Sequence, residues 1–196
     1  MADLKGKKIG ASVVTALINY LTRSLSRHEG WGPDGINLVA TGSPTASLAF
    51  IKTGETDGMA GDLGTLYNAE QNGAGRVIVT FAEAVQDFHN YVIFATDDLI
   101  AKNPAQIRRF LVAWFDTIAF ANANKAATVQ IIAEQLRYDP ALVARLYDTQ
   151  MAMYSRDGKF DPKAMAALAK SYVEVNILDH EPDMSKLVTE AFLPKR

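Results

Sequence analysis

The hydrophobic pattern of the chain changes near residue 88. Before that point, short apolar runs of strand length alternate with segments of helical length, as in a parallel sheet covered by helices. Beyond it, apolar residues recur mainly at helical spacing, almost to the end of the chain. The pattern predicts an α/β fold with one parallel-sheet lobe at residues 1–88 and a mostly helical half at residues 89–196.

The same pattern predicts individual elements. Strands are expected at residues 8–11, 37–40, 57–60, 76–81 and 91–95. Helices are expected between the early strands, at residues 14–28, 45–52 and 63–70. Ser12 is expected to cap the first of these helices.

In the helical half, short residue pairs mark where the helices begin. Three pairs place a capping side chain just before a proline at the first helical position: Asn103-Pro104, Asp139-Pro140 and Asp161-Pro162. The helix after Pro104 carries a broad apolar stripe made of Ile107, Phe110, Leu111, Trp114, Phe115 and Ile118. A stripe of that width needs a large apolar partner, and a sheet is the natural one.

Composition and charge exclude several classes of function. The chain has 196 residues, enough to bury a real core, and 20 basic against 22 acidic residues give a net charge of -2. With no long run of either sign, nucleic acid and a membrane surface are not expected partners. Zero cysteines exclude a disulfide and a thiolate nucleophile. Neither a signal peptide nor a segment that spans a bilayer is expected from the sequence given.

Candidate binding residues follow the strands. Parallel sheets collect ligands at the carboxyl ends of their strands, where helix N-termini expose backbone N–H groups. Three predicted loops fit this rule, at residues 12–15, 41–44 and 61–64. Ser12 and Thr15 offer hydroxyls to a carboxylate, sulfonate or phosphate, and Asp62 offers a carboxylate to an ammonium or ring nitrogen. Each loop also has a purely structural interpretation, because Ser12, Ser43 and Asp62 are good helix caps and could serve only in that role.

Catalytic patterns are weak. The three histidines, His28, His89 and His180, are scattered and show no metal-ligand spacing. His89 stands out because it lies at the junction of the two halves, although a partly exposed structural histidine is the favoured interpretation there. No phosphate-binding loop, dinucleotide fingerprint or serine nucleophile motif occurs. No cofactor, metal or catalytic residue is therefore expected.

Three stretches of the chain stand in a characteristic order and spacing. They read DLKGKKIGAS, SLAFIKTGETDGMAG and NYVIFATDDLIAKNPAQIRRFLVAWFDTIAFANAN. The third is the most specific, with a strand, an acidic helix start at Asp97 and Asp98, an Asn-Pro cap and a long aromatic helix. In these features the chain resembles the SsuA/TauA/NMT1-like family of ABC-transporter substrate-binding proteins, which have a type II periplasmic-binding-protein fold.

The resemblance implies a function and a location. Members of that family are two-lobed periplasmic proteins that close on a small solute such as a sulfonate, nitrate, taurine or a pyrimidine precursor, and deliver it to a permease. By this resemblance, residues 1–88 look like the second lobe. Residues 89–196 look like a return strand and the helices that complete the first lobe. The segment that precedes DLKGKKIGAS in the family is expected to be missing here, and solute binding is accordingly expected to be weak.

The ligand-binding residues chosen on this basis are Ser12, Thr15, Ser43, Asp62, His89 and Tyr91. The family often has small residues where this chain has Val13 and Val14, which weakens the expectation for the first loop. One enzymatic branch of the family uses a cysteine-rich segment and a histidine, so a chain without cysteine is not expected to be an enzyme. The alternative is an interaction module that assembles with itself or another chain through residues 104–175, because the aromatic stripe lacks its sheet.

Overall fold

A small parallel sheet lies in the first third of the chain in the computed structural model, which describes residues 2–195. Its strands are β1 (Lys8–Ala11), β2 (Asn37–Ala40) and β3 (Gly58–Met59). The helices are α1 (Ala16–His28), α2 (Pro44–Thr53), α3 (Leu63–Gln71), α4 (Asp97–Lys102), α5 (Pro104–Ala123), α6 (Lys125–Leu136), α7 (Pro140–Gln150) and α8 (Pro162–Glu174). The predicted α/β class, with a parallel-sheet part followed by a mostly helical half, is confirmed.

The sheet has β1 in its centre, in the order β2-β1-β3. Both pairings are parallel, with Ile9 opposite Leu38 in one ladder and opposite Gly58 in the other. Because all three strands run in one direction, their carboxyl ends meet at a single edge. The topology thus brings the loops after β1, β2 and β3 to the same side of the sheet.

The chain divides into two compact units. Unit 1 comprises Met1–Phe88 and Ala166–Pro182, and unit 2 comprises His89–Met165 and Asp183–Arg196. Helix α8 therefore begins in unit 2 and ends in unit 1. The assignment of residues 1–88 and 89–196 to two lobes stays a prediction.

The core of unit 1 lies between β1 and α1. Ile9, Leu25 and Ile36 form its buried cluster, and Trp31 and Phe81 are among the residues packed against it. The apolar spacing of α1 explains this arrangement, because residues three and four apart share the face that covers the sheet.

The core of unit 2 is built from helices. Leu111, Phe115 and Ile118 of α5 are buried, as are Leu142 and Val143 of α7. The predicted stripe of α5 is thus covered in part by the helices of its own unit. Its other aromatic residues, Phe110 and Trp114, keep 52% and 37% of their surface exposed.

Two of the five predicted strands are wrong. In the part of the chain that the structure describes, residues 76–81 and the return strand at residues 91–95 have no strand conformation. Val79 and Phe81 still pack against the core of unit 1. A strand requires a neighbour for its backbone hydrogen bonds, and β-branched composition alone does not supply one. The strand expected at residues 57–60 is present but shorter, at Gly58–Met59.

All three predicted helix starts are confirmed, at Pro104, Pro140 and Pro162, and two of the three predicted capping side chains form their hydrogen bonds. Asp139 accepts hydrogen bonds from the N–H groups of Ala141 and Leu142, and Asp161 accepts them from Lys163 and Ala164. Asn103 makes no such bond, because it also terminates α4 and has the backbone geometry of that junction. Helix α1 was expected to be capped by Ser12, but it begins later, after Thr15.

The other edge of the sheet, where the strands begin, carries a charged link whose strength depends on pH. Asp57 accepts the N–H of Lys8 at 2.8 Å, and Lys7 Nζ lies 3.1 Å from its other carboxylate oxygen. The Lys8 N–H bond and then the Lys7 contact lower the pKa of Asp57. A carboxyl whose pKa is lowered on folding stabilises the folded state above its unfolded pKa and loses that effect as pH falls.

We therefore expect Asp57→Asn to reduce the free energy of unfolding more at pH 7 than at about pH 2.5, because this stabilisation is lost progressively as pH falls below the unfolded aspartate pKa of about 3.9. Urea unfolding of both proteins at the two pH values measures this. A deficit of equal size at both pH values would contradict the assignment of the pH dependence to Asp57.

Candidate functional site

The carboxyl edge of the sheet brings three predicted loops together. The N–H of Thr41 donates to Ala11 O at 2.9 Å, and the N–H of Gly42 donates to Ser12 O at 3.0 Å. On the other side, the N–H of Ala60 donates to Gly10 O at 2.8 Å. The loops after β1, β2 and β3 are thus held side by side, and each leads directly into a helix.

The helix that follows the central strand has an uncapped N-terminus. Thr15 occupies the N-cap position of α1 in extended conformation, but its side chain makes no capping hydrogen bond. Within residues 2–195, the N–H groups of Ala16, Leu17 and Ile18 have no acceptor. These groups and the helix dipole create a positive potential without any charged side chain.

The other two helices at this edge are capped by their own side chains. Ser43 Oγ accepts the N–H of Ala46 at 3.1 Å. Asp62 accepts the N–H of Thr65 at 2.9 Å and its hydroxyl at 2.8 Å. Ser43 and Asp62 therefore serve the folded structure, and α1 alone among these three helices presents a free first turn.

The loop between β1 and α1 combines polar and apolar surface. The Ser12 hydroxyl has no hydrogen-bond partner among the described residues. Next to it, Val13 and Val14 keep 63% and 41% of their surface exposed. Free N–H groups and hydroxyls beside exposed valines can hold the anionic head of a small molecule and cover an apolar body.

Thr41 lies in the second predicted loop, but the sequence did not indicate it as a site residue. Its hydroxyl donates to Ala11 O at 3.0 Å and is hydrogen-bonded to Ser47 Oγ, and Ser47 is fully buried. Its methyl group lies only 3.0 Å from where a Cβ of Gly10 would stand. Thr41 thus fixes the loop after β2 against the central strand. This role of Thr41 had a signal in the sequence: the threonine directly follows a predicted strand and faces a glycine in the neighbouring strand.

His89 and Tyr91, the remaining predicted site residues, belong to unit 2. His89 Nε2 accepts the N–H of Asp161 at 3.1 Å, and its ring meets the Phe160 ring edge-on at 5.5 Å. Hydrogen bonds from α8, chiefly from the N–H of Ala164, lower the pKa of Asp161. Tyr91 is 88% exposed. The structure brings Ser12, Thr15, Ser43 and Asp62 to one edge, whereas His89 has a local role within unit 2.

Metal-ligating clusters and membrane-spanning helices are both absent from the described residues. Across residues 2–195, no group of three or more histidine, aspartate or glutamate side chains is arranged to hold a metal ion. No helix in that range combines the length and apolarity that a membrane span requires.

The model of the family described as NMT1/THI5 like matches residues 1–127, which is 127 of the 196 residues. The chain belongs to the NMT1/THI5-like family. The match includes the whole carboxyl edge of the sheet and the helix α5. The family suggested by the three sequence stretches is thereby confirmed.

A solved structure supports the fold of this NMT1/THI5-like chain. The periplasmic aliphatic sulphonate binding protein SsuA from Escherichia coli matches with a TM-score of 0.70 at 18% sequence identity. The match covers 96% of this chain but only 60% of SsuA, so the chain spans about three fifths of that protein's length. At this identity the likeness establishes a shared fold. No curated protein matches the sequence.

Proposed function

We propose that this NMT1/THI5-like chain is a solute-binding protein whose ligand carries an anionic head group. The observation that carries the proposal is the free first turn of α1 beside the exposed Val13 and Val14. Backbone N–H groups at a helix N-terminus bind sulfonate, carboxylate or phosphate without a cationic side chain. Family membership supports the binding role, and the SsuA match supports the fold on which it rests.

The chemistry of the edge favours one class of solute. Asp62 already accepts two hydrogen bonds as a helix cap, so its carboxylate is less available to an ammonium or ring nitrogen. If the anionic head group binds the first turn of α1, the organic part of the solute lies against Val13 and Val14. Burying the surface of these valines against a carbon chain is favourable. Aliphatic sulfonates and carboxylates that carry no ammonium group therefore fit better than nitrate, taurine or a pyrimidine-like compound. Ser12 and Thr15 are the proposed contacts, while Ser43 and Asp62 hold the neighbouring helices in place.

The wider biological role is part of the same proposal. A binding protein of this kind would act in the periplasm and deliver its solute to the permease of an ABC transporter. SsuA is described as periplasmic, which supports the location, and the shared fold supports the comparison. In this role the chain binds its solute and does not transform it.

A thermal-shift panel tests the proposal. Short and long alkanesulfonates, alkanecarboxylates, taurine, nitrate and a pyrimidine are each added to the purified chain. A ligand at a hundred times its Kd stabilises by about 2.7 kcal/mol. For a chain of this size the melting temperature then rises by roughly 5–10 °C. The longer alkanesulfonates should give the largest rise, and a panel in which no anion moves the melting temperature would overturn the proposal.

A second candidate function is an interaction module that assembles with another chain. Phe110 and Trp114 favour it, because their rings stack at 6.4 Å and remain partly exposed on α5. Such aromatic pairs are common at the centres of protein interfaces. Assembly through residues 104–175 remains a proposal, which sedimentation of a Trp114→Ala variant would test.

A further inference from the structure

The C-terminus of α3 is closed by a Schellman motif that contains an Asn-Gly pair. Asn72 occupies the C-cap position, and Gly73 follows it with a φ of 67°. The N–H of Gly73 donates to Glu70 O at 3.0 Å, and the N–H of Ala74 donates to Ala69 O at 2.9 Å. A left-handed glycine with these two hydrogen bonds defines the motif. In the whole sequence, Asn72 is the one asparagine that precedes a glycine.

The side chain of Asn72 fastens the same helix end. Its Nδ2 donates to Asn68 O at 2.8 Å and to Asn68 Oδ1 at 3.1 Å. Asn124, at the end of α5, makes the same bond to the preceding turn, from its Nδ2 to Phe120 O at 2.9 Å. Both asparagines are exposed, but Asn124 is followed by Lys125. The two sites therefore share a hydrogen bond and differ in the residue that comes next.

The glycine leaves the backbone nitrogen after Asn72 accessible. Apart from its chain neighbours, no atom of the described residues lies within 4 Å of where a Cβ of Gly73 would stand. The N–H of Gly73 is held only by Glu70 O, in the last turn of the helix, where backbone hydrogen bonds open most readily. Once the turn opens, glycine adopts backbone conformations that a residue with a Cβ avoids. The nitrogen of Gly73 then reaches Cγ of Asn72, in the side chain directly before it.

We propose that Asn72 is a modification site at which the folded protein slowly exchanges the side-chain amide for a carboxylate. The nitrogen of Gly73 gives its proton to hydroxide and attacks Cγ of Asn72. The new N–Cγ bond closes a cyclic imide as the Cγ–Nδ2 bond breaks, and Nδ2 leaves as ammonia after taking a proton from water. Water then opens the ring at either imide carbonyl and leaves aspartate or isoaspartate. The net reaction consumes water and requires no oxidant or reductant.

The product opposes the motif in which it forms. Aspartate has no Nδ2 donor, so both bonds to Asn68 are lost and a carboxylate faces the Asn68 carbonyl oxygen. A negative charge at a helix C-terminus also meets the negative end of the helix dipole. The loop that follows is tied to the same turn, because Glu70 Oε1 accepts the N–H of Val77 at 3.0 Å. Modification of Asn72 should therefore loosen the end of α3 together with this loop.

The modification site lies at the other end of α3 from the proposed solute site. The nine residues of α3 span about 13 Å, and its first turn is the one capped by Asp62 at the carboxyl edge of the sheet. Asn72 is not among the proposed solute contacts. Its chemistry therefore does not depend on whether the chain binds an anion.

Incubation of the purified chain at neutral and mildly alkaline pH, followed by mass spectrometry of its peptides, tests the proposal. Fragmentation of each peptide assigns the change to one residue. We expect Asn72 to lose its amide before any loss at Asn124 is detected, and at a rate that rises with pH because only the deprotonated nitrogen attacks. Equal rates at the two asparagines, or an Asn72 amide that outlasts that of Asn124, would overturn the proposal.

Two variants test the effect of the modification on the helix end. Asn72→Asp reproduces the aspartate product and should lower the midpoint of urea unfolding. Gln71→Glu is the matched control, because it adds the same charge to the same turn and keeps both bonds from Asn72 to Asn68. We expect a lower midpoint for Asn72→Asp than for Gln71→Glu. Equal midpoints would show that the amide of Asn72 does not fasten the end of α3.

Discussion

Replacing Gly35 by alanine is expected to destabilise unit 1 by about 3 kcal/mol. A Cβ at this position would stand 2.5 Å from Trp31 Cβ and 2.6 Å from Ser26 Oγ. The N–H of Gly35 donates to Ser26 Oγ at 3.0 Å, and its carbonyl accepts the N–H of Gly6 at 2.7 Å. Overpacking costs about 1–3 kcal/mol. Displacing a buried hydrogen bond adds roughly 1–3 kcal/mol. Urea unfolding measures the sum.

The control for this substitution is Gly75→Ala, since a Cβ there would meet no atom within 4 Å. It should leave the unfolding midpoint nearly unchanged. If Gly35→Ala fails to fold, Ser26→Ala provides the measurement, because it removes the acceptor of the Gly35 N–H without any clash. If Gly35→Ala and Gly75→Ala had the same midpoint of urea unfolding, the loop around Ser26 would not be fixed as described.

Replacing Thr15 by aspartate is expected to stabilise the protein while weakening its binding of anions. An aspartate at the N-cap of α1 can accept the free N–H groups that the threonine leaves open. Capping and the dipole interaction should together raise the free energy of unfolding by about 0.5–1 kcal/mol. The same carboxylate occupies the proposed anion position, so affinity should fall at least about tenfold, or 1.4 kcal/mol. Calorimetric titration with an alkanesulfonate measures the affinity.

The matched control is Ser43→Asp, which adds the same charge at the same edge. Helix α2 is already capped by Ser43, so this change replaces one cap by another and blocks no free N–H group. It should weaken binding much less than Thr15→Asp. A similar loss for both variants would mean that the solute senses only the net charge of the edge, and the assignment to α1 would be wrong.

Local signals in the sequence were sufficient for much of the fold. The strands β1 and β2 were predicted with their observed bounds, because short apolar runs between turn residues have few alternatives. The caps at Asp139 and Asp161 followed from an acidic side chain placed before proline. Ser43 and Asp62 were identified as possible caps, and they act as caps. Such features depend on residues within one helical turn of each other.

Features that depend on distant partners were not predictable in the same way. Residues 91–95 have the composition of a strand, but strand formation requires a second backbone that the local pattern does not specify. The free N-terminus of α1 arose because the helix begins at Ala16, four residues after the expected cap, Ser12. Thr41 was missed because its role comes from Gly10 and Ser47, which only the folded sheet brings near it.

An anionic solute is expected to bind the first turn of α1 at the carboxyl edge of the sheet. Titration of the ¹⁵N-labelled chain with an alkanesulfonate, followed by two-dimensional NMR, tests it most directly. We expect saturable shifts of the amide signals of residues 12–18, with those of Lys7 and Lys8 at the opposite edge unchanged. Shifts confined to the lysines, or no saturable shift in residues 12–18, would contradict it.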